Sequence, residues 1–285
     1  MGRKRTQLDK SILYDPYPYW NQLIAGDMNL SLVGHPGLGI YNHVAYRFRL
    51  AAFNKALSGL LSNWPDVRVF EVGFGVGFYL RYFAQVGVNQ VTGIDLSAPA
   101  VIHAQKLFPN YKLFQHDLTE PIPLPSQIYD LVTAIDVLYH IVDDHRWNLA
   151  LGNACSLLKP GGVLVLTDKF TANGTLNQFH VKRRSLETYK SVLKRYGMLV
   201  ERILPVFVFL DDAILKRDPK WLGFISYMQW RILSKMIRLL GRWPNLRDLF
   251  ALSVAGIQYP FEKLTVSLLK RSPNLEMVVA RKQCG

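Results

Sequence analysis

Short apolar runs alternate along the chain with longer segments whose apolar residues recur at helical spacing. Five such runs lie at residues 67–72, 90–95, 111–116, 129–135 and 163–168. They are too short for isolated helices and suit strands that are buried on both faces. Because helical segments separate most of these runs, the pattern predicts an α/β fold with a doubly wound, mostly parallel sheet.

Two regions lie outside this alternation. Residues 1–66 come first: residues 14–20 are aromatic and broken by proline, which predicts a loop or short turns, and residues 35–39 predict another loop. Residues 41–61 have apolar residues at helical spacing and predict a helix. This N-terminal region either covers one end of the sheet or forms a lid, and residues 211–273 predict a second helical addition.

The first apolar run ends in three glycines, Gly73, Gly75 and Gly77, and a helix-compatible run starts at Phe78. A strand, a glycine turn and a helix bring backbone close to a ligand at the carboxyl end of a sheet. A dinucleotide site uses the spacing G-x-G-x-x-G, whereas this chain has G-x-G-x-G. Glu71 would repel a pyrophosphate but suits the ammonium group of an amino acid. The turn therefore indicates S-adenosylmethionine, a nucleoside joined to a cationic amino acid.

Four motifs carry a family resemblance. They are E-V-G-F-G-V-G at 71–77, D-L-V at 130–132, D-V-L-Y-H at 136–140 and L-L-K-P-G-G-V-L-V-L at 157–166. With them the chain resembles the class I S-adenosylmethionine-dependent methyltransferases of small-molecule type, over residues 67–210 and 274–282. The resemblance implies a Rossmann-like sheet of seven strands. It also implies that the last strand, residues 274–281, enters antiparallel between the fifth strand and the sixth at 198–210.

The cofactor would be S-adenosyl-L-methionine, with S-adenosyl-L-homocysteine as the product. Asp95 ends the second strand, where an acid can accept both ribose hydroxyls; the alternative is a helix N-cap. The resemblance implies that Asp117 bonds the adenine amino group, although turn chemistry is the alternative. Tyr41 and Arg47 are candidates for the sulfonium and the methionine carboxylate. The predicted cofactor residues are Glu71, Gly73, Gly75, Gly77, Asp95, Leu96, Asp117, Leu118, Ile135, Asp136, Tyr41 and Arg47.

Methyl transfer to a hydroxyl needs a group that takes its proton. His140 follows the fourth strand and is the first candidate base, with Asp143 or Asp144 to orient it; alternatively it only lines the cofactor. His180 is the second candidate, with a surface loop histidine as the alternative. The predicted substrate-binding residues are Tyr14, Tyr19, Tyr139, Asp168 and Arg184. No metal site is predicted, although Asp168 is also a residue type that binds metals.

Composition narrows the class. The chain has 285 residues, of which 49% are apolar and 19% charged, and a net charge of +13. These values indicate one large globular domain, or one with additions, and favour anionic partners. Two cysteines, Cys155 and Cys284, without metal-type spacing favour a reduced, cytoplasmic protein. The basic N-terminus lacks an apolar signal core, and the charges within residues 221–240 argue against a membrane span.

The sequence therefore predicts methylation of a small molecule, at oxygen rather than at nitrogen or carbon, in secondary or specialised metabolism. RNA methylation ranks lower, because the fourth motif lacks the N/D-P-P-Y/F that holds a flipped adenine. No Pro-Cys nucleophile and no RNA-binding module accompany it. A non-catalytic S-adenosylmethionine-binding protein stays open, whereas a nicotinamide dehydrogenase fits least. The sequence does not indicate the oligomeric state.

Residues 221–242 predict an amphipathic helix. It has an apolar stripe at Ile225, Met228, Ile232, Met236 and Leu239, and a basic stripe at Arg231, Lys235, Arg238 and Arg242. One interpretation is a lid that packs its apolar side on the substrate cavity and leaves its charges in water. The other is that the basic face meets an anionic partner: a membrane surface, an acidic carrier protein or a charged substrate. We expect this insertion and the N-terminal aromatic segment to close over the acceptor.

Overall fold

A seven-stranded sheet forms the centre of the molecule. The computed structural model describes residues 14–24, 38–214 and 219–284. The strands of the sheet are β1 (Arg68–Val72), β2 (Gln90–Asp95), β3 (Lys112–Gln115), β4 (Tyr129–Ala134), β5 (Leu158–Asp168), β8 (Met198–Phe207) and β9 (Leu275–Lys282). Their order is β3-β2-β1-β4-β5-β9-β8, and β9 runs antiparallel to both of its neighbours. The predicted mostly parallel sheet and its antiparallel last strand are confirmed.

Helices cover both faces of this sheet. The helices are α1 (Pro16–Ile24), α2 (Gly39–Leu57), α3 (Phe78–Gln85), α4 (Ala98–Leu107), α5 (Asp144–Leu157), α6 (Leu186–Arg195), α7 (Lys220–Leu239) and α8 (Pro244–Leu268). The side chains of α2, α3 and α4 form one apolar core with the sheet, and those of α5 and α6 form the other. Two-sided burial is why the central strands are continuous apolar runs rather than alternating ones.

The amino-terminal aromatic segment is a helix, so the predicted loop at residues 14–20 is wrong. Pro16 is the first residue of α1, a position where the missing N–H is not needed for a helical bond. Asp15 supports this start, because its carboxylate accepts a hydrogen bond of 3.1 Å from the N–H of Tyr17. The predicted loop at residues 35–39 lies mostly outside the described residues.

Two further differences lie between β4 and α6. The strand β5 begins at Leu158 rather than at Val163, because Leu158 pairs with Tyr129 before the register shifts. A hairpin follows β5, formed by β6 (Thr175–Gln178) and β7 (Val181–Arg184), where the sequence suggested only a loop. The turn of this hairpin holds His180, and β7 lies against the 3-10 turn at Leu138–His140. The hairpin therefore sits at the carboxyl end of the sheet.

The helical insertion lies between β8 and β9 and consists of α7 and α8. Its buried side chains join the core of α2 and β8. Glu262 of α8 anchors it, because this buried carboxylate accepts hydrogen bonds from the N–H groups of Val208 and Phe209 at the end of β8. Burial raises the pKa of Glu262 to about 7. In the three described ranges, no helix combines the length and apolarity needed to cross a bilayer.

Candidate cofactor and acceptor site

The glycine turn after β1 forms a cradle of backbone. Gly73, Gly75 and Gly77 all have positive φ, which side chains rarely adopt. A Cβ on Gly73 would lie 2.5 Å from Cγ2 of Val137, whereas a Cβ on Gly75 would meet no atom within 4 Å. Gly73 is therefore required by close packing of the turn, and Gly75 opens onto free space. Free space above a glycine turn is where a ligand can approach the backbone.

Two buried carboxylates lie beside this cradle. Asp95, at the end of β2, accepts hydrogen bonds from the N–H groups of Gly75 at 2.7 Å and of Ser97 at 2.8 Å. Burial raises the pKa of Asp95 to about 6, although these bonds act in the opposite direction. Glu71 accepts a hydrogen bond from the hydroxyl of Thr133, and its burial raises the pKa to about 8. A nearby cation stabilises the charged form of a buried carboxylate, so these side chains suit a cationic group of a ligand.

Asp117 follows β3 at the same end of the sheet, but another residue already engages it. Its Oδ2 forms an ion pair of 2.6 Å with Arg146, and its Oδ1 accepts the N–H of Thr119 at 2.8 Å. The predicted bond to an adenine amino group would therefore share this carboxylate with Arg146. Leu118 next to it is buried, and Leu96 after β2 is half-buried.

The segment after β4 carries an ion pair that the sequence analysis missed. Asp136 has φ +59° and forms an ion pair of 2.7 Å with Arg49 of α2. Its other oxygen accepts the hydroxyl of Thr167 at 2.8 Å, and Ile135 before it is buried. Asp136 raises the pKa of Arg49 even though burial acts against it. The N-terminal segment thus reaches the site through Arg49.

The structure does not bring Arg47 or Tyr41 to the glycine turn. Arg47 is exposed, because two residues turn a helix by about 200° and place it opposite Arg49. Tyr41 is fully buried against the insertion, where its hydroxyl donates to Gln258 at 3.1 Å and its ring lies 6.0 Å from that of Trp230. Burial also raises its pKa well above the usual value. Tyr41 is therefore a packing residue.

The two candidate histidines lie together. The rings of His140 and His180 stack with centroids 5.5 Å apart and an interplanar angle of 12°. Nδ1 of His140 lies 3.0 Å from the carbonyl oxygen of His180, an arrangement that requires a proton on Nδ1 and leaves the lone pair on Nε2. Burial lowers the pKa of His140 to about 4, so this ring is neutral at pH 7.

Aromatic side chains from α1 and the residues before it, from the 3-10 turn and from the hairpin turn surround this histidine pair. Trp20 packs edge-on against His140 with centroids 4.7 Å apart, and Tyr19 stacks on His180 at 5.0 Å. Tyr14 accepts a hydrogen bond of 3.1 Å from the indole of Trp20, and Tyr139 lies 4.3 Å from the ring of His140. We call Tyr14, Tyr19, Trp20, Tyr139 and Phe179 the aromatic cluster. Three predicted substrate residues therefore lie beside the candidate bases, Tyr14 and Tyr19 next to His180 and Tyr139 next to His140.

The predicted orientation of His140 by an aspartate is wrong. Asp143 caps α5 by accepting the N–H of Arg146, and Asp144 pairs with Lys182 and Arg184. The carbonyl of His180 orients the imidazole instead. The sequence spacing showed that the aspartates lie near His140, but it did not show that they bind other partners.

Two predicted substrate residues are structural. Arg184 is almost fully buried; its guanidinium bonds Asp144 and the carbonyl of Ile141 and lies 4.4 Å from the ring of Trp147. Asp168 is fully buried and accepts the hydroxyl of Tyr189 at 2.6 Å. Burial raises the pKa of Asp168 to about 6. Neither side chain is free to meet an acceptor.

Arg183, the neighbour of Arg184, has the properties expected of an acceptor-binding residue. On β7, Lys182 and Arg184 both reach Asp144, so Arg183 faces the other side of the hairpin. Its Nε is buried without a hydrogen-bond partner among the described residues. Burial is the main cause of the lowered pKa of His140 and of His180, and the positive charge of Arg183 adds to it in both cases. No sequence motif identified Arg183. Arg183 and Arg184 point to opposite faces of β7, and this difference became visible only once the hairpin was known.

These residues fit S-adenosylmethionine. The open space at Gly75 admits a ligand, Asp95 can bond ribose hydroxyls with its remaining lone pairs, and Glu71 suits an ammonium group. Arg49, which pairs with Asp136, carries a positive charge that can balance the carboxylate of a ligand. The donors and acceptors therefore match a nucleoside joined to an amino acid.

Comparison with known families agrees with this geometry. Residues 70–166 match a family model described as a methyltransferase domain. Over 112 residues the chain is 30% identical to the ubiquinone biosynthesis O-methyltransferase of Rhodopseudomonas palustris, a match that covers 37% of this chain and 41% of that protein. It is also 30% identical over 119 residues to the 27-O-demethylrifamycin SV methyltransferase of Amycolatopsis mediterranei, covering 39% and 42%. The chain thus spans about two fifths of the length of these curated relatives.

A solved structure extends the likeness in fold. Phosphoethanolamine N-methyltransferase 2 of Haemonchus contortus in complex with S-adenosyl-L-methionine superposes with a TM-score of 0.55. The match is 18% identical and covers 93% of this chain and 60% of that chain. At this identity the likeness concerns the fold alone.

Proposed function

We propose that this chain, whose residues 70–166 match a methyltransferase domain, is a class I S-adenosylmethionine-dependent methyltransferase that methylates an oxygen atom of a small molecule. The observation that carries the proposal is the set of groups at the carboxyl end of the sheet. There an open glycine cradle with two buried carboxylates lies at the same end as a neutral histidine within an aromatic cluster. This arrangement supports a cofactor and a proton acceptor at the same end of the sheet.

The chain's own residues would hold the cofactor as follows. Gly75 gives the ligand access to the backbone of the turn that Gly73 shapes, Asp95 bonds the ribose, and Glu71 binds the ammonium group. Leu118 and Ile135, both buried, supply apolar surface. When bound, S-adenosylmethionine supplies an electrophilic methyl group. These assignments support the proposal through chemistry and placement.

His140 is the proposed general base. Its Nδ1 proton is held by the carbonyl of His180, so Nε2 carries the lone pair that can accept a proton from an acceptor hydroxyl. Its lowered pKa makes it a weak base, which favours an acidic hydroxyl such as a phenol, whose pKa is about 10. The aromatic cluster offers faces on which an aromatic acceptor can stack. Both named O-methyltransferase relatives agree with transfer to oxygen.

Arg183 is the proposed acceptor-binding cation. Its buried Nε, which has no hydrogen-bond partner among the described residues, and the effect of its charge on both histidines support a positive charge at the acceptor side of the site. A cation there can also stabilise the oxyanion that forms when a hydroxyl loses its proton. This role replaces the one predicted for Arg184.

The proposed organisation has three parts. Residues 67–210 together with 274–285 form the cofactor-binding core, residues 1–66 form an N-terminal cap, and residues 211–273 form a helical insertion. The position of α1 in the aromatic cluster supports the cap over the acceptor. The insertion packs on α2 and β8 instead.

The test is transfer of a labelled methyl group to a panel of phenols by the wild type and by His140→Gln. We expect kcat to fall by about 10²–10⁴-fold while the Kd of S-adenosylmethionine stays within a factor of two. The control His43→Gln changes an exposed histidine on α2 and should leave both constants unchanged. Equal losses of kcat and cofactor affinity would show that His140 lines the cofactor. Binding without transfer to any acceptor would instead support the non-catalytic alternative.

A further inference from the structure

The helix α7 exposes a face made of large apolar side chains. Trp221 is 66% exposed and Ile232 is 63% exposed, whereas a lid helix would bury these side chains against the substrate cavity. The exposed apolar residues of α7 are Trp221, Phe224, Ile225, Met228, Ile232, Met236 and Leu239. The interpretation that this stripe packs on the substrate cavity is therefore wrong. Another surface of the same helix does the packing.

Helical geometry separates these two surfaces. With about 100° per residue, the exposed apolar residues fall on one side of α7, and Leu222, Ser226 and Leu233 fall on the other. The buried side faces β8, where the hydroxyl of Ser226 donates to the carbonyl of Val208. The basic residues Arg231, Lys235 and Arg238 are exposed on the same outer side, and all three are displaced towards one edge of it. The helix is thus apolar on both sides, with a basic flank along the outer one.

The helix α8 repeats this arrangement. Ala251, Ala255 and Glu262 are buried towards α2 and β8. The opposite side exposes large apolar residues, of which Leu268 reaches 74%. These exposed residues, with the tryptophan at the turn before the helix, are Trp243, Leu246, Leu249, Ile257, Phe261, Leu264 and Leu268. Because both buried sides turn to the same core, both outer sides turn away from it. We call these outer sides of α7 and α8 the outer apolar surface.

The charge of this region is strongly positive. Residues 219–271 contain nine lysines and arginines and two acidic residues, a net charge of +7 out of +13 for the chain. One of the two acids, Glu262, is buried against the end of β8 and is not available to the outside. An exposed surface that is apolar at its centre and basic at its edge is the pattern of helices that lie in a membrane interface.

We propose that the outer apolar surface docks on a membrane whose lipids carry anionic headgroups. The apolar side chains would enter the boundary between headgroups and acyl chains, and the basic flank would meet phosphates. Trp221 lies at the start of α7 and Trp243 directly before α8. Their amphipathic rings suit the level of the lipid headgroups. A second copy of this chain fits worse, since it would bring another +7 against the first. This docking does not depend on the proposed methyl transfer.

The experiment is flotation of the full chain with vesicles of phosphatidylcholine alone or with 30% phosphatidylglycerol added. We expect binding to the anionic vesicles at 0.1 M salt and little binding to the neutral ones. The triple change Arg231→Glu, Lys235→Glu and Arg238→Glu should weaken binding by about a hundredfold. The pair Ile232→Ser and Phe261→Ser should weaken it at least tenfold through lost apolar contact.

Matched controls carry the same changes elsewhere. Lys106, Lys112 and Lys194 are exposed lysines outside the insertion, and Ile102 and Leu199 are exposed apolar residues of similar accessibility. Charge reversal of these three lysines, or change of these two apolar residues to Ser, should leave binding within threefold.

Light scattering after size exclusion decides between the membrane and a second copy. A monomer that floats with anionic vesicles supports the proposal. Absence of flotation, or equal weakening by the control variants, would overturn it. A stable dimer abolished by Ile232→Ser and Phe261→Ser would overturn it too, because the surface would then be a subunit interface.

Discussion

Gly75 offers the sharpest separation of ligand binding from folding. Replacement by Ala adds a methyl group where φ is +50° and where no atom lies within 4 Å. The left-handed conformation costs about 1–2 kcal/mol for a residue with a Cβ. No clash adds to this cost, so the protein should stay folded. The added methyl group would nevertheless occupy the space proposed for the cofactor.

Gly87 provides the matched control. It has φ +83°, and a Cβ there would also meet no atom within 4 Å. It lies between α3 and β2, at the edge of the sheet opposite the carboxyl ends. Gly87→Ala should therefore lose the same 1–2 kcal/mol of stability without touching the site. The two variants differ only in what fills the neighbouring space.

Urea unfolding and titration calorimetry with S-adenosylmethionine measure the two effects. We expect both variants to lose similar free energy of unfolding. Only Gly75→Ala should lose affinity, by roughly ten- to a hundredfold, since overpacking costs about 1–3 kcal/mol. Wild-type affinity in Gly75→Ala would refute the placement of the ligand. Equal losses of affinity in the two variants would show that general destabilisation explains the result.

Three further predictions concern charged residues of the site. Arg49→Met should cost about 3 kcal/mol in urea unfolding because Asp136 loses its partner, whereas Arg47→Met should change stability by less than about 0.5 kcal/mol. The folded pKa of Glu71 lies at about 8, above the ordinary 4.5, so unfolding free energy should fall as pH rises between these values. Glu71→Gln should flatten this slope and abolish the proton release, close to one per cofactor bound at pH 7, that calorimetry in two buffers should detect. Arg183→Gln should raise the acceptor KM about tenfold or more without changing cofactor affinity, and an unchanged KM would remove it from the acceptor site.

The central strands were predictable because one physical requirement determines them. A strand buried on both faces must be a short apolar run, and β2 matched its prediction at both ends. The glycine spacing and the acid at the end of β2 placed Gly75 and Asp95 together correctly, since the carboxyl ends of parallel strands lie at the same end of the sheet. The hairpin of β6 and β7 was missed, because its polar side chains give no apolar alternation.

Other residues required the packing to be known. Helical geometry favours Arg49 over Arg47, because it puts Arg49 nearer to the apolar positions 48 and 52 of α2, but the partner of Arg49, Asp136, depends on how α2 packs. Pro16 was interpreted as a helix breaker, although the first turn of a helix tolerates it. The apolar stripe of α7 was recognised, but periodicity does not tell which of two apolar sides meets the core.

The central claim is that S-adenosylmethionine binds at the glycine turn with its ribose on Asp95. Titration calorimetry with S-adenosylmethionine on the wild type and on Asp95→Ala tests it most directly. The variant should bind with about 1–3 kcal/mol less free energy, since it leaves ribose hydroxyls and the N–H of Gly75 without their acceptor. Unchanged affinity in a folded Asp95→Ala protein would contradict the claim.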